Sequence, residues 1–144
     1  MLESTLFLRQ SSAIPYRLND GMVEVLLITS TKHQHWIVPK GWIAWGFSAA
    51  DSAVKEAWEE AGVTGRVLTP AFAVYPDRKW GYPCQVEVFL LSVEVVRDEW
   101  PEANKRRRQW LSLPDAVKQA KGKPLKRLLQ RLQEQSNLLN FVEV

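Results

Sequence analysis

The stretch from Ser48 to Gly62 constrains this chain most. Ser48 with Asp51 three residues on is a capping arrangement, and Gly62 is a residue at which helices end, so a helix is predicted over about Ser48 to Ala61. With Ala53 set at zero and about 100° per residue, Ala53, Val54, Ala57, Trp58 and Ala61 fall between roughly 0° and 140°, the face that packs inward. Glu56, Glu59 and Glu60, at i, i+3 and i+4, fall between roughly 240° and 340° and share another side. Like charges so spaced repel, and Glu59 and Glu60 have Val63 and Thr64 four residues on rather than a lysine. A divalent cation removes the repulsion. Mg²⁺ prefers hard oxygen ligands, accepts a few carboxylates, keeps several waters and binds substrate phosphates. Such a centre polarises a phosphoryl oxygen and generates hydroxide near neutral pH. A solvated acidic face is the other reading of the spacing taken alone.

The flanking sequence says what the helix packs on. Runs from Leu6 to Arg17 and Met22 to Ser30 have strand character and flank Asn19-Asp20-Gly21, a hairpin signal. Trp36-Ile37-Val38 reads as a short strand stopping at Pro39, and positions 40–47 as a loop. Arg66 to Tyr75 and Cys84 to Val96 are further strands, joined through Trp80-Gly81-Tyr82-Pro83; the second is apolar on both faces near Phe89-Leu90-Leu91, as in a central strand. Ser112 with Asp115 opens a short helix. Leu125, Leu128, Leu129 and Leu132 then mark an amphipathic one, with Lys126, Arg127, Gln130 and Arg131 opposite. Strands, a helix, more strands and closing helices predict an α/β chain with a mixed sheet covered by helices. The 144 residues contain no repeat or linker that would divide them, so a single domain over 1–144 is expected.

Composition removes other classes. The one cysteine, Cys84, allows no intrachain disulfide and no cysteine-based zinc site, and its apolar setting makes it a small buried or strand residue. No apolar run approaches the roughly 20 residues of a membrane span, and Met1 to Gln10 lacks the pattern of a secretory signal. A cytoplasmic protein with no membrane partner is expected. The net charge of +3 is unevenly spread: residues 105–131 hold ten Lys or Arg against the single acid Asp115, while residues 1–104 hold nine bases and thirteen acids. A basic closing segment beside an acidic body suggests an anionic partner, with a solvated basic helix face as the alternative.

Pro39-Lys40-Gly41, a short loop and then Lys55-Glu56-Ala57-Trp58-Glu59-Glu60-Ala61-Gly62-Val63 resemble the 23-residue signature of the Nudix hydrolases. Gly41 fits its first glycine, and Glu56, Glu59, Glu60, Gly62 and Val63 fit without a gap. Ser12 to Arg17, and Trp100-Pro101-Glu102 followed by an arginine cluster and Trp110, are similar to the opening and closing regions of a subgroup acting on diphosphoinositol or dinucleoside polyphosphates. The resemblance implies a Nudix-type α/β/α sandwich and hydrolysis of a diphosphate linked to another moiety. It further implies Mg²⁺, or Mn²⁺, held by Glu56, Glu59 and Glu60 with the Gly41 carbonyl. An acid from a later segment often completes such sites and serves as base; Glu102 is the first candidate, then Glu99 and Glu87.

Two positions depart from the signature. Phe47 stands where a glutamate is expected, and Lys55 where an arginine is expected; in the family this pair braces the loop against the helix. A lysine suits a site that has lost the acid for a guanidinium fork. Trp45 and Phe47 make the loop apolar, which is read in three ways: packing that replaces the salt bridge, a surface for a base or protein partner, or weakened catalysis. Lys40, Arg78 and Lys79 are basic and close to loops flanking the acids, so they are candidate substrate-phosphate contacts. His33 and His35 read as a surface loop, and Trp36, Trp42, Trp58 and Trp110 as core or core-edge residues. On a strand, at most two of Lys105-Arg106-Arg107-Arg108 face one ligand. The expected function is a metal-dependent pyrophosphohydrolase for a phosphate-rich small molecule. The alternative is a catalytically weakened module that binds nucleotide or RNA.

Overall fold

The computed structural model describes residues 8–142. Its first two strands, β1 (Leu8–Asn19) and β2 (Met22–Thr29), meet at Asp20-Gly21, where both residues have positive φ (52° and 76°). Such a turn matches the right-handed strand twist, which is why Asp-Gly works there. The predicted start of this strand at Leu6 and Phe7, and most of the Met1 to Gln10 segment, lie outside the described residues. Then come β3 (Trp36–Ile37), β4 (Lys40–Trp42), α1 (Ala49–Glu56) with a π-helical continuation over Ala57–Ala61, β5 (Val63–Val67), β6 (Ala73–Lys79), β7 (Tyr82–Val96), β8 (Arg108–Ser112), α2 (Leu113–Gln119) and α3 (Lys123–Val142).

The register fixes the sheet. Tyr16 of β1 pairs with Val25 of β2 on one side and Ser92 of β7 on the other, and β1 with β7 is the parallel pair. Towards its start β1 exchanges β2 for β4, as Ser12 pairs with Lys40. Ile28 of β2 pairs with Ile37 of β3 and, across its other edge, with Arg108 of β8. The first hairpin therefore splays open and β3 and β4 occupy the gap. On the far edge of β7, β6 pairs with its first half and β5 with its second.

Alternation along the central strands assigns the faces. Ala13, Leu26, Ile28, Phe89 and Leu91 pack with Ala53, Ala57 and Ala61 of the first helix. Ile14, Val25, Leu27, Val86 and Val88 pack with Leu113 and Ala116 of α2 and Leu125, Leu128, Leu129 and Leu132 of α3. This is the mixed sheet between helices that the pattern predicts. Cys84 is buried in the second of these clusters. Among the described residues no helix is long and apolar enough to cross a membrane.

Four expectations are corrected. Lys40–Trp42 is a strand, because its backbone completes the edge of β1 that β2 leaves. The run Arg66 to Tyr75 is two strands, β5 and β6, interrupted around the cis Thr69-Pro70 bond. The helix is not uniform: its last turn is wider, and such π turns break the 100° ruling. Trp42 is not core; it sits 36% exposed against Trp80.

Candidate active site

The acids sit where the first helix passes under β4. Ser48 caps the helix start, its hydroxyl accepting from the Asp51 amide at 3.0 Å, and Gly62 ends it at φ 70°. Opposite residues of an antiparallel pair point to the same face, so Lys40 and Trp42 share one face of β4 with Ser12 and Gln10 while Gly41 faces the helix. A Cβ at position 41 would collide with the Glu56 carboxylate. Glycine leaves room for that carboxylate, which any side chain at position 41 would displace.

Glu56 and Glu60 are buried, 9% and 6% exposed, so two of the three acids are not a solvated face. Glu59 remains half-exposed. The Lys40 amide donates to Glu60 Oε1 at 3.4 Å, and the Arg106 guanidinium stands 3.6 Å from the same oxygen. Burial nevertheless pushes the Glu60 carboxyl up to about 8, with Arg106 pulling down and Glu56 adding to the rise. Lys55 answers Glu59 and Glu56 together, its Nζ 3.1 Å from Glu59 Oε2 and 3.6 Å from Glu56 Oε2, and these carboxylates raise its own pKa. Glu59 thus has a lysine four residues before it, a pairing missed when only following residues are considered.

Glu102 reaches the cluster through Arg106, whose Nε donates to Glu102 Oε1 at 2.8 Å and whose Nη1 donates to the Thr29 carbonyl at 3.0 Å. The Glu102 amide also donates to the Glu59 carbonyl at 3.1 Å, and Trp100 Nε1 to the Glu60 carbonyl at 3.1 Å. The 100–106 segment is therefore tied to the acidic turn at both backbone and side chains. Glu87 pairs instead with Arg9 at 2.7 Å, and Glu99 is exposed with no ion pair among the described residues.

Of the candidate phosphate contacts, Lys40 faces Asp77 at 3.5 Å. It lines a cavity of about 260 Å³ between the sheet and the α2–α3 connection, together with Ser12, Tyr75, Asp77 and Lys121. Arg78 and Lys79 lie at the β6–β7 hairpin tip, where Arg78 donates to the Gly81 carbonyl at 2.8 Å and the Lys79 ammonium lies 5.9 Å from the Trp80 ring. The arginine cluster is not one strand and does not serve one ligand. Arg106 meets the acids, Arg107 lies over Trp36, and Arg108 stacks 3.9 Å over Trp100 while donating to the Ala61 carbonyl at 2.7 Å. Arg131 and Lys126 also bond backbone carbonyls within the fold, so four of the ten bases of this segment, with Arg106 and Arg108, hold the molecule together. Trp45 is 99% exposed, which overturns packing as its replacement for the salt bridge. His33 and His35 are exposed and stack on each other.

The donor set suits a hard divalent cation in kind: carboxylates, two of them buried with mutual repulsion, beside a glycine backbone. With the side chains held by Lys55 and Arg106, no three such groups among the described residues converge tightly enough to hold one. Binding would require Glu59 to turn from Lys55. Sequence reasoning missed Arg106, although its place four residues after Glu102 was readable, and missed Trp80.

Helix, glycine, acids and mixed sheet together define the class. A family profile described as the NUDIX domain matches residues 8–132, and the chain belongs to that family. Among curated proteins it is 35% identical over 100 residues to mouse diphosphoinositol polyphosphate phosphohydrolase 3-alpha, covering 66% of this chain and 58% of that protein. It is 30% identical over 118 residues to Nudix hydrolase 4 of Arabidopsis thaliana, covering 72% and 54%. The chain thus spans a little over half the length of these relatives. The fold matches a C. elegans Ap4A hydrolase binary complex with a TM-score of 0.76 at 24% identity, over 88% of this chain and 96% of that one.

Proposed function

We propose that this chain is a divalent-metal-dependent pyrophosphohydrolase acting on a phosphate-rich small molecule, a nucleoside polyphosphate, dinucleoside polyphosphate or diphosphoinositol polyphosphate. The observation that carries the reading is the buried pair Glu56 and Glu60 against Gly41, an arrangement with little structural purpose and a repulsion that a cation relieves. Mg²⁺ or Mn²⁺ held by Glu56, Glu59 and Glu60 with the Gly41 carbonyl would supply charge neutralisation for the diphosphate and acidify water. Lys40, Arg78 and Lys79 then hold phosphates on the β4 side, and the neighbouring cavity takes part of the attached moiety. Glu102, oriented by Arg106, accepts the proton from water as its oxygen attacks one phosphorus and the bridging oxygen leaves on the other. The relatives' printed names, phosphohydrolase and Nudix hydrolase, support the same chemistry. A single buried cysteine suits a cytoplasmic setting.

Glu59→Gln with Glu60→Gln is expected to lower metal-dependent turnover of a diphosphate panel by at least about 100-fold while the thermal unfolding transition persists. Equal turnover by this double variant sinks the assignment. The second reading, a weakened module binding nucleotide or RNA, is favoured by Lys55 sitting between Glu56 and Glu59. It predicts salt-sensitive binding with no turnover at saturating Mg²⁺ or Mn²⁺.

A further inference from the structure

Two turns at one end of the sheet each place a tryptophan at their first central position. β4 runs antiparallel to β1, and the Ile43 amide continues that pairing by donating to the Arg9 carbonyl at 3.3 Å. The chain then turns over Ala44–Phe47. The Phe47 amide donates to the Ala44 carbonyl at 2.9 Å, and Gly46 takes φ 80° at the third position. β1 starts at Leu8, opposite Cys84 of β7, so the β6–β7 hairpin tip lies at this same end. That tip is Trp80-Gly81, with φ of 54° and 81°. Trp45 and Trp80 are thus equivalent in their turns, and they are 99% and 75% exposed.

Neither placement serves the core. Trp45 is almost wholly in solvent. Positive φ at a bulky residue is an outlier, and Asp20 shows what such a hairpin turn ordinarily takes. Strain of this kind is kept where a function depends on it. Trp42 joins the two turns, its ring centroid 5.6 Å from that of Trp80, and Phe47 and Tyr82 beside them are also exposed. Strand alternation turns Trp42 away from Gly41 and the acids, so this surface is separate from the acidic site.

Charge narrows what the surface meets. Residues 42–47 carry no charge, and residues 78–83 carry Arg78 and Lys79 with no acid. Both lie within an acidic body, since residues 1–104 hold nine bases and thirteen acids. An RNA strand needs cations along its path, and the 42–47 turn has none. A second copy of the chain, paired through this patch about a two-fold axis, would set the same cations near each other. Indoles favour the boundary between water and hydrocarbon, and nearby bases are drawn to the anionic lipids of a cytoplasmic leaflet.

We propose that the Ala44–Phe47 and Lys79–Tyr82 turns dock this chain on an anionic phospholipid surface. Trp45 and Trp80 enter the headgroup layer, and the charge of Arg78 and Lys79 draws the hairpin tip towards it. The expectation of no membrane partner rests on spanning segments, which a peripheral contact does not use.

The test is co-sedimentation of the whole chain, in EDTA, with vesicles of phosphatidylcholine alone and of phosphatidylcholine mixed equally with phosphatidylserine. One double variant is Trp45→Ser with Trp80→Asn, replacements that suit an exposed turn and a positive φ. The other is Trp45→Tyr with Trp80→Tyr, which keeps rings of interfacial preference. The unaltered chain is expected to bind the mixed vesicles more tightly than phosphatidylcholine alone. The Ser/Asn variant is expected to lower partitioning by at least about 10-fold with an unchanged thermal melt, and the Tyr/Tyr variant to keep most of it. Trp45→Ser alone, at a residue with no packing to lose, is expected to move binding in the same direction. No binding of the unaltered chain at millimolar lipid overturns the proposal. So does equal binding by the Ser/Asn variant, which leaves charge alone as the cause. Sedimentation velocity and titration with poly(U) cover the other occupants. A dimer, or an RNA affinity, that the Ser/Asn variant loses while vesicles stay unbound gives the surface to a second copy or to RNA.

Discussion

Gly41 shows how one missing atom organises the site. Its Cα supports the Glu56 carboxylate, and a methyl group there would have to push that buried carboxylate aside. The backbone at this position is not in the left-handed region, so alanine introduces no dihedral strain. Gly41→Ala is therefore expected to keep the fold while lowering Mn²⁺ affinity by about 10- to 100-fold, the range for losing a neighbour that orients a ligand. Titration calorimetry beside a thermal melt checks both halves. Lys55 is the second residue whose role depends on its surroundings. With Phe47 in place of an acid, its ammonium turns to Glu59 and Glu56.

At the scale of elements, the first helix is held by two unequal ends. Ser48 contributes one cap hydrogen bond, so Ser48→Ala should cost about 1 kcal/mol. Gly62 adopts φ 70°, and a Cβ there would also stand 2.7 Å from Arg108 Nη1 and 2.8 Å from the Trp100 ring. Gly62→Ala combines left-handed strain with displacement of the stack that ties residues 97–108 to the helix, and should cost about 2–4 kcal/mol. Denaturant melts of the two variants test the order; a smaller loss at Gly62 contradicts it. The helix and its caps were legible in the sequence because capping and periodicity are local. The wider last turn was not, and it decides that Glu60 goes under β4 while Glu59 stays towards solvent.

On the scale of the molecule, the two faces of the sheet do different work. The α1 face carries the acids; the α2–α3 face carries the cavity lined by Lys40, Tyr75 and Lys121. Tyr75 is pushed up to about 12, first by burial and then by the negative charges of Asp77 and Cys84. A raised pKa favours the protonated folded state. Its stabilisation is complete below pH 10, the ordinary value, and is lost as pH rises through 12. The native chain should therefore lose about 1 kcal/mol more than Tyr75→Phe between pH 9 and pH 11, measured by urea melts. Parallel pH dependence of the two proteins would place Tyr75 in water instead.

The sequence by itself determined the acidic helix, the hairpin at Asp20-Gly21, the central character of β7 and the family signature. Each is written in neighbouring residues, or in the period with which apolar side chains recur. Only the tertiary structure decided that Lys40–Trp42 completes the edge of β1 and that Arg106 joins Glu60 to Glu102. Only it could show that Trp42 meets Trp80, and that four of the ten bases of the closing segment bind the protein's own carbonyls. Apart from Glu102 with Arg106, four residues on, and Val117 with Lys126, nine on, these pairings join residues far apart in the chain, and no local preference reports them. They exist because two strands diverge, a short strand fills the gap, and charges left on its rim find partners where the chain returns.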